Sequence, residues 1–113
     1  MDTRETEAYV VDCLRRAGSE VEISAGRVIV ELGQPGLGVF VIQNGTVEVF
    51  APEGTRELGP GAVFGGRALR EPYGVRTARC VAKTDVRLVA VDRPTVEALR
   101  DDDPDFAAAL PLD

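Results

Sequence analysis

The sequence predicts a mainly β fold of the sandwich or barrel type, flanked by short helices at both ends. Between residues 20 and 92, apolar residues alternate with polar ones or form short runs, and Gly, Pro, Asn and Asp separate these runs. Many short strands with frequent turns are typical of sandwiches and barrels. The chain has 113 residues, 44% of them hydrophobic, which is enough for one domain with a buried core. We therefore expect a single domain over residues 1–113.

Residues 2–17 are predicted to form the N-terminal helix. Asp2 can cap it with Glu5 three residues later, and Gly18 is a suitable residue for its end. One face carries apolar or small residues at helical spacing, namely Thr6, Val10, Cys13, Leu14 and Ala17.

The β region, expected over about residues 20–92, divides into short strands between turns. Asn44-Gly45 predicts a hairpin, because both positions of a tight hairpin turn require positive φ and these two residues tolerate it. The predicted strands are 21–23, 28–32, 39–43, 46–50, 56–58, 62–64, 77–83 and 86–92.

A C-terminal helix is predicted over about residues 94–101, with one more turn over 106–110. Pro94 suits a first helical turn, and Asp103 before Pro104 ends the helix because a residue before proline avoids the α conformation. The acidic cluster here lacks the glycine turn and closing glutamate of a calcium loop. We interpret it as a solvated helix boundary; its members are Asp101, Asp102, Asp103 and Asp105.

Composition excludes several classes of function. The net charge of −6 is opposite to the basic surface of nucleic-acid binders. The absence of histidine excludes Ser-His-Asp and Cys-His catalysis within the chain, and also a histidine-ligated metal. No apolar run approaches the ~20 residues of a membrane span, and the charged N-terminus is not a signal peptide, so we expect a cytoplasmic protein. Cys13 and Cys80 are expected to be buried free thiols. A binding module is predicted, not an enzyme.

One segment carries the chemistry of an anion site. Gly65 and Gly66 allow the backbone to approach a ligand, and a helical turn through Arg67 and Ala68 would point its free N–H groups at an anion. Arg76 precedes a strand and is suited to bind a phosphate with two hydrogen bonds, while Thr77 adds a hydroxyl. On these residues alone, the glycines can equally be a turn and Arg76 a solvated residue.

This segment resembles the phosphate-binding cassette of cyclic nucleotide-binding domains, which reads Phe-Gly-Glu, then Ala-Leu, a short loop, and Arg-Ser/Thr/Ala-Ala. The resemblance extends over roughly residues 20–100. Its other parts are Ala25-Gly26-Arg27-Val28-Ile29, Val39–Ile42 with Gly45, and Leu58-Gly59-Pro60-Gly61 before Phe64-Gly65. It implies an eight-stranded jelly roll, or double-stranded β-helix, flanked by short helices. Arg76 would pair with the cyclic phosphate of cAMP or cGMP, with Thr77 and the amides near Gly66–Ala68 also in contact.

The sequence departs from the family in two respects. Gly66 stands where the family has a glutamate that accepts a hydrogen bond from the ribose 2′-OH, a contact worth ~1.5–3 kcal/mol. Glu71 is a candidate to replace it from the loop. The chain also ends at Asp113, where family members usually continue with a helix that covers the base, and often with an effector domain.

Two hypotheses follow. The chain is either a sensor of cAMP, cGMP or a related phosphate ligand, or a degenerate scaffold for protein–protein interactions. An Arg76 side chain that lines an open pocket favours the sensor, whereas one bonded to Glu71 or another carboxylate, or a pocket filled by Tyr73, favours the scaffold. In either case the expected partner is an effector protein in trans or a missing effector domain. Self-association as a homodimer through the β faces or the N-terminal helix is a further expectation, with no nucleic acid or membrane partner.

Overall fold

The computed structural model describes residues 3–36, 38–66 and 74–110. Within these ranges the chain is mainly β, as predicted, with short helices at both ends. The helices are α1 (Thr3–Ala17), α2 (Arg93–Asp102) and α3 (Pro104–Ala109). The strands are β1 (Ser19–Ile23), β2 (Val28–Val30), β3 (Gly38–Asn44), β4 (Val47–Ala51), β5 (Gly54–Leu58), β6 (Val63–Phe64), β7 (Arg79–Ala82) and β8 (Val86–Asp92).

The strands form two antiparallel sheets of four strands each. The first sheet has the order β1-β8-β3-β6, and the second has the order β2-β7-β4-β5. Strands that follow one another in sequence thus often lie in different sheets, as in a jelly roll. The predicted eight-stranded jelly-roll architecture is confirmed.

The first sheet is the middle layer of the molecule, because its central strands are apolar on both faces. In β3, Val39 and Val41 point to the helices, whereas Ile42 points to the second sheet. This alternation follows from the two-residue period of a strand. The helix side is completed by Val10, Cys13 and Leu14 of α1, Val89 and Val91 of β8, Val96 of α2, Phe106 of α3, and Leu110.

The predicted Asn44-Gly45 hairpin is wrong. β3 pairs with β6 and β8, and β4 pairs with β5 and β7, so the two strands lie in different sheets. Gly45 has a φ of 91°, but Asn44 is not in the left-handed region, so the turn that would pair these strands does not form. Gly45 instead crosses between the sheets so tightly that a Cβ there would lie 2.3 Å from the Asp85 carbonyl oxygen.

The three helices begin and end close to the predicted positions. α1 ends at Ala17 as predicted, and the amide of Gly18 donates to the Leu14 carbonyl at 3.0 Å; the predicted cap Asp2 lies outside the described residues. α2 begins one residue earlier than expected because Asp92 is its N-cap and accepts a hydrogen bond from the Thr95 amide at 2.9 Å. None of the helices that the structure describes combines the length and apolar character that a membrane crossing requires.

Asp103 connects the C-terminal helices to the N-terminal one. It is the C-cap residue of α2 and the N-cap residue of α3, where its carboxylate accepts from the amides of Asp105 and Phe106. The same carboxylate accepts a hydrogen bond from the Tyr9 hydroxyl of α1. These bonds stabilise the charged form, the Tyr9 bond most, and they hold the pKa of Asp103 below its ordinary value. Asp103 is thus a structural acceptor as well as a boundary residue.

Replacing Asp103 by alanine is expected to lower the melting temperature. The variant removes the N-cap hydrogen bonds of α3 and the acceptor of the Tyr9 hydroxyl of α1. The sign of the pH dependence follows from the lowered pKa in the folded state. The contribution is fully present above the unfolded-state pKa and is lost as the pH falls through the lower folded-state pKa. The difference in melting temperature between Asp103→Ala and the unaltered chain should therefore shrink in acid. Asp102→Ala, at an exposed neighbour, is the control; an equal loss in both variants would contradict this role.

Candidate ligand-binding site

A cleft lies between the inner face of the second sheet and the β6 edge of the first. Counted out to its open mouth, it encloses about 570 Å³. Its walls combine apolar side chains with two arginines and one glutamate. The lining residues are Val30, Val49, Ala51, Glu53, Arg56, Val63, Phe64, Gly65, Arg76, Thr77, Ala78 and Cys80.

The floor of the cleft is one row of residues that runs across all four strands of the second sheet. Val30 pairs with Cys80, Cys80 with Val49, and Val49 with Arg56. Residues directly opposite each other in antiparallel strands point to the same face of a sheet. The first three are buried, and Arg56 completes the row on the edge strand β5.

Arg76 lies at the inner end of this cleft, with only 7% of its surface exposed. Its Nη1 donates to the Gly65 carbonyl at 2.8 Å, and its Nη2 donates to the Gly38 carbonyl at 3.0 Å. The guanidinium also lies over the ring of Phe40, with its carbon 5.6 Å from the ring centroid. The side chain is therefore held in one position against the edge of the first sheet.

The backbone around Arg76 is held as firmly as its side chain. The amide of Arg76 donates to the Gln34 carbonyl at 2.8 Å, and its carbonyl accepts from the Gly33 amide at 3.0 Å. At Gly65, φ is +93° and a Cβ would lie 2.6 Å from Nη1 of Arg76. Only glycine meets both conditions without strain, so the structure requires the first cassette glycine for the placement of Arg76.

The charge of Arg76 is not balanced by any carboxylate in the described parts of the chain. Its two acceptors are neutral carbonyl oxygens. Burial lowers the pKa of Arg76, and the nearby charge of Arg93 acts in the same direction. A guanidinium nevertheless stays protonated in proteins, so a cation lies beside the cleft.

Cys80 lies between the two arginines of the cleft. It is buried and free, as is Cys13, which confirms the interpretation of both thiols. Burial raises the pKa of Cys80 to about 11, while the charges of Arg76 and Arg56 act against this rise. The charges of both guanidiniums therefore act on the same buried thiol, Arg56 from β5 and Arg76 from the segment before β7.

The structure brings three of the six predicted site residues together. Gly65, Arg76 and Thr77 line the cleft, whereas Gly66 is buried beside it without lining it. Arg67 and Ala68 lie outside the described residues, as do Glu71 and Tyr73, so the cassette turn stays a prediction. Sequence reasoning missed Glu53 and Arg56, which the β4–β5 hairpin brings to the cleft.

Two other arginines of the strands lie on the solvent face. Arg79 forms an ion pair with Glu31 at 3.5 Å, and Arg87 forms one with Glu20 at 3.0 Å. About half of each arginine side chain is exposed. Arg79 and Arg87 thus differ from Arg56, which lines the cleft.

Comparison with known sequences identifies relatives that share a regulatory module. The sequence profile of the cyclic nucleotide-binding domain matches residues 20–103. A cyclic nucleotide-gated potassium channel of Mesorhizobium japonicum is 38% identical over 102 residues, which are 88% of this chain and 27% of the channel. A CRP-like cAMP-activated global transcriptional regulator of Mycobacterium tuberculosis is 28% identical over 110 residues, 92% of this chain and 49% of the regulator. The chain thus spans half or less of the length of these relatives.

Solved structures show the same fold. One, reported with a cyclic-GMP-dependent signalling pathway that regulates bacterial phytopathogenesis, has a TM-score of 0.81 at 30% identity and covers 89% of this chain and 84% of the other. The catabolite activator protein of Thermus thermophilus has a TM-score of 0.76 at 29% identity, covering 89% of this chain and 50% of the other. With a matching profile over most of its length and the same jelly roll, this chain belongs to the cyclic nucleotide-binding domain family.

Proposed function

We propose that this chain is a regulatory module that binds cAMP or cGMP in the cleft, with Arg76 as the phosphate ligand, and that it is not an enzyme. The observation that carries the proposal is the buried guanidinium of Arg76, which has two neutral acceptors and no carboxylate partner among the described residues. Thr77 and the cassette amides near Gly66–Ala68 complete the proposed phosphate site.

The physical argument is the cost of burying a charge. A buried ion without a counter-ion costs several kcal/mol, and an anion at hydrogen-bonding distance offsets this cost. Because a guanidinium has five N–H donors, the Gly65 and Gly38 carbonyls leave donors of Arg76 for a phosphate. The Phe40 ring beneath the guanidinium keeps those donors in place.

The relatives support the ligand class. One is named as a cyclic nucleotide-gated channel and another as a cAMP-activated regulator. In each, the matching region is only part of a longer protein. We therefore propose that the signal passes to an effector, either a separate protein or a further domain.

Replacing Arg76 by leucine is expected to weaken the binding of both nucleotides by at least ~10- to 100-fold. Each hydrogen bond to a charged group contributes ~1.5–3 kcal/mol, and Arg76 would supply at least one such bond to the phosphate. Isothermal titration calorimetry with cAMP and cGMP measures the change. Arg79→Leu is the matched control, since Arg79 lies on the opposite face of the same region and should leave binding unchanged.

Two results would contradict the proposal. One is an unaltered chain that gives neither heat nor a thermal shift with either nucleotide up to millimolar concentration. The other is an Arg76→Leu variant, folded by circular dichroism, that binds as tightly as the unaltered chain.

The alternative function is a scaffold for protein–protein interactions. It is favoured by Gly66, which has no side chain for a ribose contact, and by two exposed apolar residues. Leu32 is 55% exposed, and Val75, which forms a bridge with Pro35, is 50% exposed. If the chain binds no cyclic nucleotide, a scaffold for protein–protein interactions becomes the better-supported function.

A further inference from the structure

The outer face of the second sheet carries a stripe of apolar residues. Phe50 follows the buried Val49 in β4, so it points away from the cleft, and it is 41% exposed. Val28 is 40% exposed and lies directly opposite Val81, an outward-facing residue of β7. Phe50 is diagonally across from Val81, at a separation of roughly 7–8 Å that an aromatic side chain can span. The stripe thus crosses three neighbouring strands.

This outer face is open to solvent, since the helices pack on the other side of the molecule. Their apolar residues join those of the first sheet in one cluster, which contains no residue of the second sheet. Single exposed apolar residues are common on protein surfaces, whereas a contiguous apolar patch with a polar rim is typical of an interaction surface.

Opposite charges flank the stripe. Arg79 lies directly opposite Phe50 on one side, and Glu48 lies directly opposite Val81 on the other. About half of the Arg79 side chain is exposed, and its ion pair with Glu31 is a loose one at 3.5 Å. In the parts of the chain that the structure describes, the Glu48 carboxylate has no hydrogen bond or ion pair. A cation on one flank and an anion on the other are therefore available to a partner.

We propose that this face binds a second copy of the same chain, face to face, about a two-fold axis that runs along the stripe. Rotation by 180° about this axis places each flank of the stripe against the opposite flank of the other copy. Arg79 of each copy then faces Glu48 of the other, and the apolar side chains pack on one another. The surface is thus complementary to itself, as a two-fold interface between identical chains requires.

The size of the face sets the strength of this contact. Four strands at ~4.8 Å spacing, with up to five residues at ~3.3 Å each, give a face of roughly 19 by 16 Å. This is well below the ~800 Å² per partner that stable complexes bury. We therefore expect a weak dimer with a dissociation constant of about 0.1–1 mM.

Sedimentation velocity tests this inference over protein concentrations from about 10 μM to a few millimolar, which bracket that constant. Salt at ~0.15 M screens most of the long-range repulsion between two chains of net charge −6. The unaltered chain should shift from monomer towards dimer as its concentration rises. Phe50→Ser should remain monomeric, because it removes the largest apolar side chain of the stripe.

Charge reversal at the two flanks tests the proposed pairing between copies. Arg79→Glu and Glu48→Arg each place like charges opposite one another in the dimer, so each variant alone should remain monomeric. In an equimolar mixture of the two, both contacts of the mixed dimer again join a cation to an anion. The mixture should therefore dimerise, a rescue that misfolding of either variant cannot produce.

Arg15→Glu is the matched control, because it reverses an exposed charge on α1, at the helix side of the molecule. It should dimerise like the unaltered chain.

Four outcomes would overturn the inference. They are an unaltered chain that stays monomeric throughout, a dimer that persists in Phe50→Ser, a mixture of the charge variants that stays monomeric, and a dimer that Arg15→Glu abolishes. The last result would place the contact on α1 instead. None of these measurements involves a nucleotide, so the proposed function stands or fails separately.

Discussion

Replacing Phe106 by alanine is expected to lower the free energy of unfolding by ~3–5 kcal/mol. Phe106 is fully buried at the junction of α1, α2 and the first sheet, in the same cluster as Leu14, Val96 and Leu110. α3 has only six residues, and a helix of this length is not stable by itself in water. Its position therefore depends on Phe106, and the loss should release α3 from α1 and α2.

Urea unfolding followed by circular dichroism measures this effect. Ala108→Ser is the control, because Ala108 is an exposed residue of the same helix and should change stability little. A loss of less than ~1 kcal/mol in Phe106→Ala would contradict the packing of α3 on the core through Phe106.

Replacing Gly66 by glutamate is expected to raise the affinity for a cyclic nucleotide by ~10- to 100-fold. The family glutamate accepts a hydrogen bond from the ribose 2′-OH, and a bond to a charged group contributes ~1.5–3 kcal/mol. This substitution would restore a contact that the resemblance identifies as lost.

The 2′-deoxy form of the same nucleotide is the matched control ligand. The gain should disappear with it, because the hydroxyl that the new carboxylate binds is absent. Gly66→Gln, which accepts a hydrogen bond without a charge, should gain less. An unchanged affinity in Gly66→Glu, or a gain that persists with the 2′-deoxy ligand, would show that residue 66 does not face the ribose.

Local sequence signals predicted the elements well because they act over a few residues. The apolar face of α1 and the stop at Gly18 placed its end correctly, and Pro94 placed the start of α2 within one residue. Strand pairing depends on contacts far apart in the chain. Asn44-Gly45 marked a turn correctly, but only the buried faces of β3 and β4 decide that they join different sheets.

In the candidate site, too, residues close together in sequence were predicted and a residue placed by strand pairing was not. Arg76 and Gly65 were identified because they lie in a cassette that is contiguous in sequence. Arg56 was not identified, because its inward direction depends on the register that places it opposite Val49. Pro52-Glu53-Gly54 is a turn sequence between the predicted strands 46–50 and 56–58, and pairing these strands across it would have placed Arg56 opposite Val49.

The central claim is that the Arg76 guanidinium receives the ligand phosphate. Nuclear magnetic resonance of arginine side chains, with the Arg76 Nε–H signal assigned from Arg76→Lys, tests it directly during titration with cGMP and cAMP. We expect a saturable shift of this signal together with the phosphorus signal of the nucleotide, while the Arg79 signal stays in place. A nucleotide that saturates the protein without moving the Arg76 signal would bind elsewhere, and that result would contradict the account.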